Sequence, residues 1–432
     1  MPGLGSDGGN PIPLGGVTFN GLGGAGSDTL TLEGGIFDSL TYNYDNAHDG
    51  DIELVDGSVT STVNFVGLDP ITDTTTAAVK TFNLLGGNDS IALTRVDATT
   101  SYLSGSTIEN TTFTNPTDSL VINGGLGTDT IAVNGSDLDL GTAGIDLTAE
   151  TINVYTGLTA ASVATSGVNL SVSNNRDITV SGILGSGEGI DINHTGTVSM
   201  GGTDLFSSAA NASIIIVAGG GINDVAVRSV TTSNGDFIST GGHHFTAGSN
   251  INTGTGIVDL NHAGGNVALY GNVTAGAFES NGGNLSVSNN RDITVSGNKD
   301  GLGINVTHTG TVSLAGTDLV STEELAAINL QAGVGNHDLN LRSATTNSGA
   351  ITTAGGRHLT LGGNLNAVNS AVFSNHGGTV NLGNHDVTAS SVSIFAGSDQ
   401  RCSFIYANGN GRRHTCQQRK PELYGRHYFR IR

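Results

Sequence analysis

Tryptophan is absent from this chain, aromatic residues make up 5% of it and charged residues 12%, values too low for an ordinary helical or mixed globular domain. The strong helix formers Leu, Ala, Glu and Lys give way to Gly, Ser, Thr, Asn, Asp and Val, a composition suited to short strands joined by tight turns. Basic residues are scarce as well: 16 Lys and Arg face 37 Asp and Glu, a formal charge of -21. A nucleic-acid partner is therefore not expected, because phosphate binding needs a basic surface. Cysteine is limited to Cys402 and Cys416, so no disulfide framework supports the body. No apolar run reaches the length of a membrane helix, and Met1-Pro2-Gly3 opens no signal peptide, so any export address is expected outside this chain. Apolar residues still make up 36%, placed too regularly for a disordered polar tract.

What is present is repetition. Asn169 to Gly182 reads NLSVSNNRDITVSG, and the same letters return at Asn284 to Gly297, 115 positions later. HTGTVS at His194 to Ser199 returns at His308 to Ser313, and GTDL at Gly202 to Leu205 returns at Gly316 to Leu319. Inside this unit, strand-like openings near Ile152, Leu170, Ile190, Ile214, Phe237, Ile257, Leu285, Ile304, Ile328, Ile351, Val372 and Val392 mostly fall 18 to 24 residues apart. In Leu170, Val172, Ile178 and Val180 apolar side chains alternate with Ser and Thr, as a half-buried strand requires. A single such turn cannot bury its own apolar face, so successive turns must stack. The expected fold is all-β, an elongated right-handed parallel β-helix (β-solenoid) with coils of about 18 to 24 residues. Roughly twenty coils at about 4.8 Å each would make a rod of about 90 Å. An antiparallel sandwich is the alternative that alternation alone leaves open.

Three regions follow. Residues 1–150 form a Gly/Asp-rich β region with Gly-rich turns, and residues 151–398 carry the solenoid built on the 115-residue duplication. A third copy of the unit begins near Val380 and breaks off inside the repeat. Residues 399–432 hold eight of the sixteen Lys and Arg, both Cys and Pro421, and are expected to be non-native text from a shifted reading frame. Polar caps that would block the terminal coils are not evident in the sequence.

Two segments fit GGxGxDxUx, the calcium-binding nonapeptide: Gly23 to Thr31 (GGAGSDTLT) and Gly124 to Ala132 (GGLGTDTIA). Leu84 to Ala92 (LLGGNDSIA) keeps only Gly87, Asp89 and Ile91. Glycines allow backbone carbonyls to turn inward while the carboxylate supplies a hard oxygen ligand. The metal-ligand candidates are thus Gly23, Gly24, Gly26, Asp28, Gly87, Asp89, Gly124, Gly125, Gly127 and Asp129, with calcium as the candidate ion and no other cofactor implied. Against this, the copies stand 40 to 60 residues apart, whereas a calcium roll shares each ion between successive turns. On that ground the motif reads as a tight turn, Asp28 and Asp129 bonding to local backbone N–H groups.

Histidine follows Asn at His194, His262, His337, His376 and His385, and Thr at His308. The recurrence tracks the duplication, so a shared corner position accounts for it better than a metal site. The pair His243-His244 becomes Arg357-His358 in the other copy, which weakens it as a ligand set. Glu188-Gly189-Ile190-Asp191-Ile192 superficially resembles the acidic strand of polygalacturonase-like hydrolases, but its counterpart Leu302 to Val306 lacks both carboxylates. Lyase chemistry needs a Lys or Arg base beside clustered acids, and the body offers only Lys80, Lys299 and six Arg. Arg176 and Arg291 lie in the repeated NNRD corner, where pairing with Asp177 and Asp292 is the simple role. Catalytic residues are therefore not assigned.

The recurrent DITVSG, HTGTVS and GNVTAG strands resemble the β-strand-repeat surface proteins of bacteria, the group of filamentous haemagglutinin-like adhesins and autotransporter passengers. The resemblance covers about residues 150–398, and the first 150 residues resemble the GGxGxD-bearing regions of large secreted bacterial proteins. It implies an extracellular or cell-surface location, structural or adhesive function without catalysis, and glycan, extracellular matrix or self-association as partners, in a chain that is a fragment of a larger adhesin. A β-helix polysaccharide lyase or hydrolase and a calcium-stabilised extracellular scaffold are the alternatives.

Overall fold

The computed structural model describes residues 12–13, 15–21, 28–396, 399–401, 405–407 and 413–414. Every regular element among them is a β-strand, and parallel strands in stacked coils build a β-solenoid. The chain divides into two compact units, Met1–Ala212 and Ser213–Arg432.

The second unit follows the sequence period. Ile214 pairs with Phe237, then Val258, Phe278, Ile304, Ile328, Ile351, Ala371 and Val392, so each turn takes 20 to 26 residues. Alternation does the work: in Ile257–His262 the side chains of Val258, Leu260 and His262 point inward while Asp259 and Asn261 point out. Each fully buried Leu, Ile or Phe contributes roughly 1.5–3 kcal/mol, and the parallel register places one such residue above another at every coil.

The first unit differs. Strands Ile36–Tyr44, Thr76–Leu84 and Ser119–Asn123 lie side by side with Asn43 beside Asn83 and Asn83 beside Asn123, a turn of 40 residues. Only beyond Leu120 do turns shorten, through Ile145 and Val163 to Ile190. The 18 to 24 residue coil expected along the chain therefore fails here. The extra length goes into antiparallel strands that the sequence reading did not foresee: Gly50–Asp56 and Val59–Val66 after the first strand, and Thr100–Gly105 between Ser90–Arg95 and Thr111–Thr114.

These strands also correct the expectation that caps are missing. Gly50–Asp56 runs antiparallel along Ile36–Tyr44, whose other edge carries Thr76–Leu84, so both edges of that strand are paired. Beneath it the interior is aromatic, with Tyr42 stacked on Phe82 and Phe82 against Phe113, both at 4.7 Å between ring centroids.

The duplicated NNRD corner has one conformation in both copies. Asn175 and Asn290 adopt φ of 59° and 60°, a left-handed bend that Asn tolerates better than other residues with a Cβ. Their N–H groups donate to the carbonyls of Gly202 and Gly316 one coil on. A side chain at either glycine would strike the preceding Asn174 or Asn289.

Candidate functional site

The 40-residue turn changes the setting of the Gly/Asp motifs. Ser90 pairs with Thr130 and Ile91 with Ile131, which sets Asp89 beside Asp129 on adjacent coils. The two motifs that sequence separation held apart are thus neighbours, and the argument that they stand alone is overturned. Gly87, Gly125 and Gly127 have φ of 90°, 86° and 139°, and a Cβ on Gly127 would lie 1.7 Å from the Gly87 carbonyl oxygen. The glycines let one corner sit directly on the next. Gly124, by contrast, is crowded by the Asp129 side chain itself.

Asp129 is 1% exposed. Its Oδ1 accepts the Asp89 N–H at 2.8 Å, and its own N–H donates to Glu150 Oε2 at 2.7 Å on the following coil. Bonding to backbone N–H groups was expected, but the bonds run between coils rather than within a turn. Asp129 Oδ2 is buried and accepts no hydrogen bond. Burial, and after it the carboxylates of Glu150 and Asp89, hold the Asp129 carboxyl above its ordinary range, against the pull of the Asp89 N–H. Glu150 lies outside the motif, and only the register could have found it. Gly23, Gly24 and Gly26 lie outside the described residues. Asp28 precedes Leu30–Leu32, which pairs with Ile71–Asp73 rather than with the Asp89 strand. Its carbonyl accepts the Asp69 N–H.

Four of the six recurrent histidines take one position. His194, His262, His308 and His376 each end a strand, are buried, and place Nε2 2.9–3.1 Å from a hydroxyl one coil earlier: Thr165, Ser239, Ser280 and Thr353. In each case the residue paired with the histidine in the preceding coil is glycine or borders one, leaving room for the ring. His337 and His385 sit half-buried in turns and do not share this place.

Asp224, His243 and His244 bring possible ligand atoms within 4.8 Å of one another. The bonds of His244 disfavour a metal there. Asp224 Oδ1 accepts the His244 N–H, and His244 Nδ1 accepts the Asn266 N–H at 2.9 Å, which leaves the ring proton on Nε2. His358 does the same for the Thr379 N–H at 3.0 Å, with Arg357 in place of His243. Both histidines are inter-coil caps. The same device recurs in a ladder where Asn250 accepts the Asn272 N–H, Asn272 the Asp292 N–H, and Asp292 the Asp318 N–H.

No protein-family model, curated protein or solved structure matches this chain.

The remaining charges decide which chemistry the faces support. Asp146, Ala164 and Asp191 stand in one outward row, so two carboxyls flank an alanine. Burial raises both; Asp191 adds to the effect on Asp146, and Glu188 to that on Asp191. The bases a lyase would need are occupied. Lys80 is fully buried, its Nζ 2.5 Å from Asp73 Oδ2 and 3.1 Å from the Thr75 carbonyl, with the Tyr42 hydroxyl donating to the same Asp73 oxygen at 2.6 Å. Burial pulls the Lys80 ammonium down and Asp73 opposes it. Lys299 bridges Glu279 at 2.5 Å and Asp259 at 3.6 Å. Arg342 spans Asp318 at 2.6 Å and Asp292 at 3.0 Å, while Arg176 lies 3.8 Å from Asp137. The arginine that holds Asp292 therefore comes from two coils away, and the pairing expected within the NNRD corner is corrected for that residue.

Proposed function

We propose that this chain is a secreted or cell-surface structural and adhesive repeat protein that works without catalysis. The observation that carries the reading is the engagement of its cations: Lys80 sealed in the interior, and Lys299 and Arg342 each clamped between two carboxylates. A shallow depression lined by Asn366, Ala367, Val368, Thr388, Ala389 and Ser390 has no titratable side chain. What the coils present outward is repetition, such as the row Asp259, Glu279, Asn305 and Asn329, in which Asn329 Nδ2 donates to Asn305 Oδ1 at 2.9 Å. Such rows suit many weak polar contacts to glycan, matrix or a second copy, which gain strength through multivalency.

A glycan array combined with a polysaccharide-degradation screen on the full chain tests this. Binding without turnover is the expected result. Turnover that disappears in both Asp146→Asn and Asp191→Asn would replace the reading with a hydrolase, for which that row supplies the two acids.

Calcium has one specific observation in its favour, the donor-free Asp129 Oδ2 beside Glu150 and Asp89. A hard divalent cation at this corner would offset the clustered charge and stabilise the first unit. Calorimetric titration should then show calcium binding that Asp129→Asn abolishes. Neither heat nor a thermal shift at millimolar calcium would assign the corner to turn geometry alone.

A further inference from the structure

The four buried imidazoles perform no role in the proposed surface function, and their surroundings are suited to one protonation state. Each ring meets a single hydroxyl through Nε2, and Nδ1 makes no hydrogen bond in any of the four. A neutral ring needs only one donor and satisfies the hydroxyl contact in either tautomer. A protonated ring carries two N–H groups, and one of them would face the interior without an acceptor. Three of these rings, His262, His308 and His376, lie in the second unit. We propose that this column of buried histidines makes the second unit an acid-opened structure, held closed by neutral imidazoles and loosened coil by coil when they take up protons.

The charged groups nearby do not rescue the cation. Asp259, on the strand that ends at His262, alternates outward, as do Glu279 on the strand beside it and Asn305 on the strand of His308. The strand Ile351–Gly355, beside that of His376, carries no charged residue. The rings at hand for His262 are Phe245, with centroids 5.2 Å apart, and His244, which opposes a second positive charge. Burial pushes His262 and His308 down to about 4 and lowers His376 as well.

The direction follows from linkage. Above the ordinary imidazole range, about pH 6.5, both folded and unfolded chains hold neutral rings and these groups add no pH dependence. Between about 6.5 and 4 the unfolded chain binds protons that the folded coils refuse, so stability falls as pH falls. Each ring shifts the unfolding equilibrium by up to about tenfold per pH unit, and three together by up to about a thousandfold. Asp259, raised chiefly by burial, acts in the opposite sense by taking up its proton earlier in the fold. Asp318, held low by Arg342, loses its contribution only below the histidine window.

The test is urea unfolding of the full chain followed by far-ultraviolet circular dichroism from pH 7.5 to 4.5, with hydrogen exchange at the imidazole C2 position reporting each ring. The midpoint should fall as pH falls from 6.5, second-unit peptides should lose amide protection in the same window, and His308→Gln should reduce the pH slope by about one proton. Should that variant not fold, the wild-type imidazole exchange still decides. Titration of His262, His308 and His376 near pH 6.5 with intact dichroism, or a slope unchanged in folded His308→Gln, would overturn the proposal.

Discussion

Lys80 shows how a residue read for chemistry becomes a residue of the core. In sequence it is one of two lysines in the body, and its surroundings there are unremarkable Thr and Val. In the fold it reaches Asp73, whose oxygens also take the Tyr42 hydroxyl and the N–H and hydroxyl of Thr75. Nothing in the spacing of Asp73 and Lys80 reveals this, because the contact depends on which side of a 40-residue turn each strand occupies. Removing one partner leaves the other charge buried and unpaired. Lys80→Ala should lower stability by about 3–5 kcal/mol in urea unfolding, whereas Asp73→Asn combined with Lys80→Met should recover a large part of the loss. An additive double variant would show that the pair is not coupled.

At the scale of the element, the strands of the second unit were legible because inward apolar residues alternate with outward polar ones and the period is constant. The identical NNRD corner was legible for the same reason, and Asn175 and Asn290 adopt the same bend. The first unit was not legible. Its hairpins insert antiparallel strands between the coil-forming ones, so apolar alternation continues without marking which strands stack. That single ambiguity hid the candidate site, since Asp89 and Asp129 become neighbours only once the turn is known to span 40 residues. The glycine between them tests the contact. Gly127→Ala forces a Cβ into the Gly87 carbonyl at a φ of 139°, and should cost about 3 kcal/mol, with the loss of amide protection centred on Ser90–Arg95 and Thr130–Asn134. A neutral effect would mean that the two corners do not touch.

For the whole molecule, composition excluded helices and basic nucleic-acid surfaces, and the duplication established stacked coils; these are properties averaged over many residues and survive local error. Specific bonds are different. The four buried histidines, the His244 and His358 caps and the Arg342 clamp all join residues one or more coils apart, and a one-dimensional text shows their recurrence without their partners. The functional reading inherits this structure: repeated outward rows for contact, and engaged cations in place of a catalytic centre. All of it in the first unit rests on the long turn. The most direct measurement is therefore disulfide trapping in a chain whose Cys402 and Cys416 are replaced by Ser. Ser90→Cys with Thr130→Cys, outward neighbours in the parallel register, should cross-link rapidly under mild oxidation. Ser90→Cys with Thr112→Cys, the pair that a turn of about 20 residues would bring together, should not; if that pair cross-links and the first does not, the 40-residue coil and the Asp89–Asp129 corner built on it are wrong.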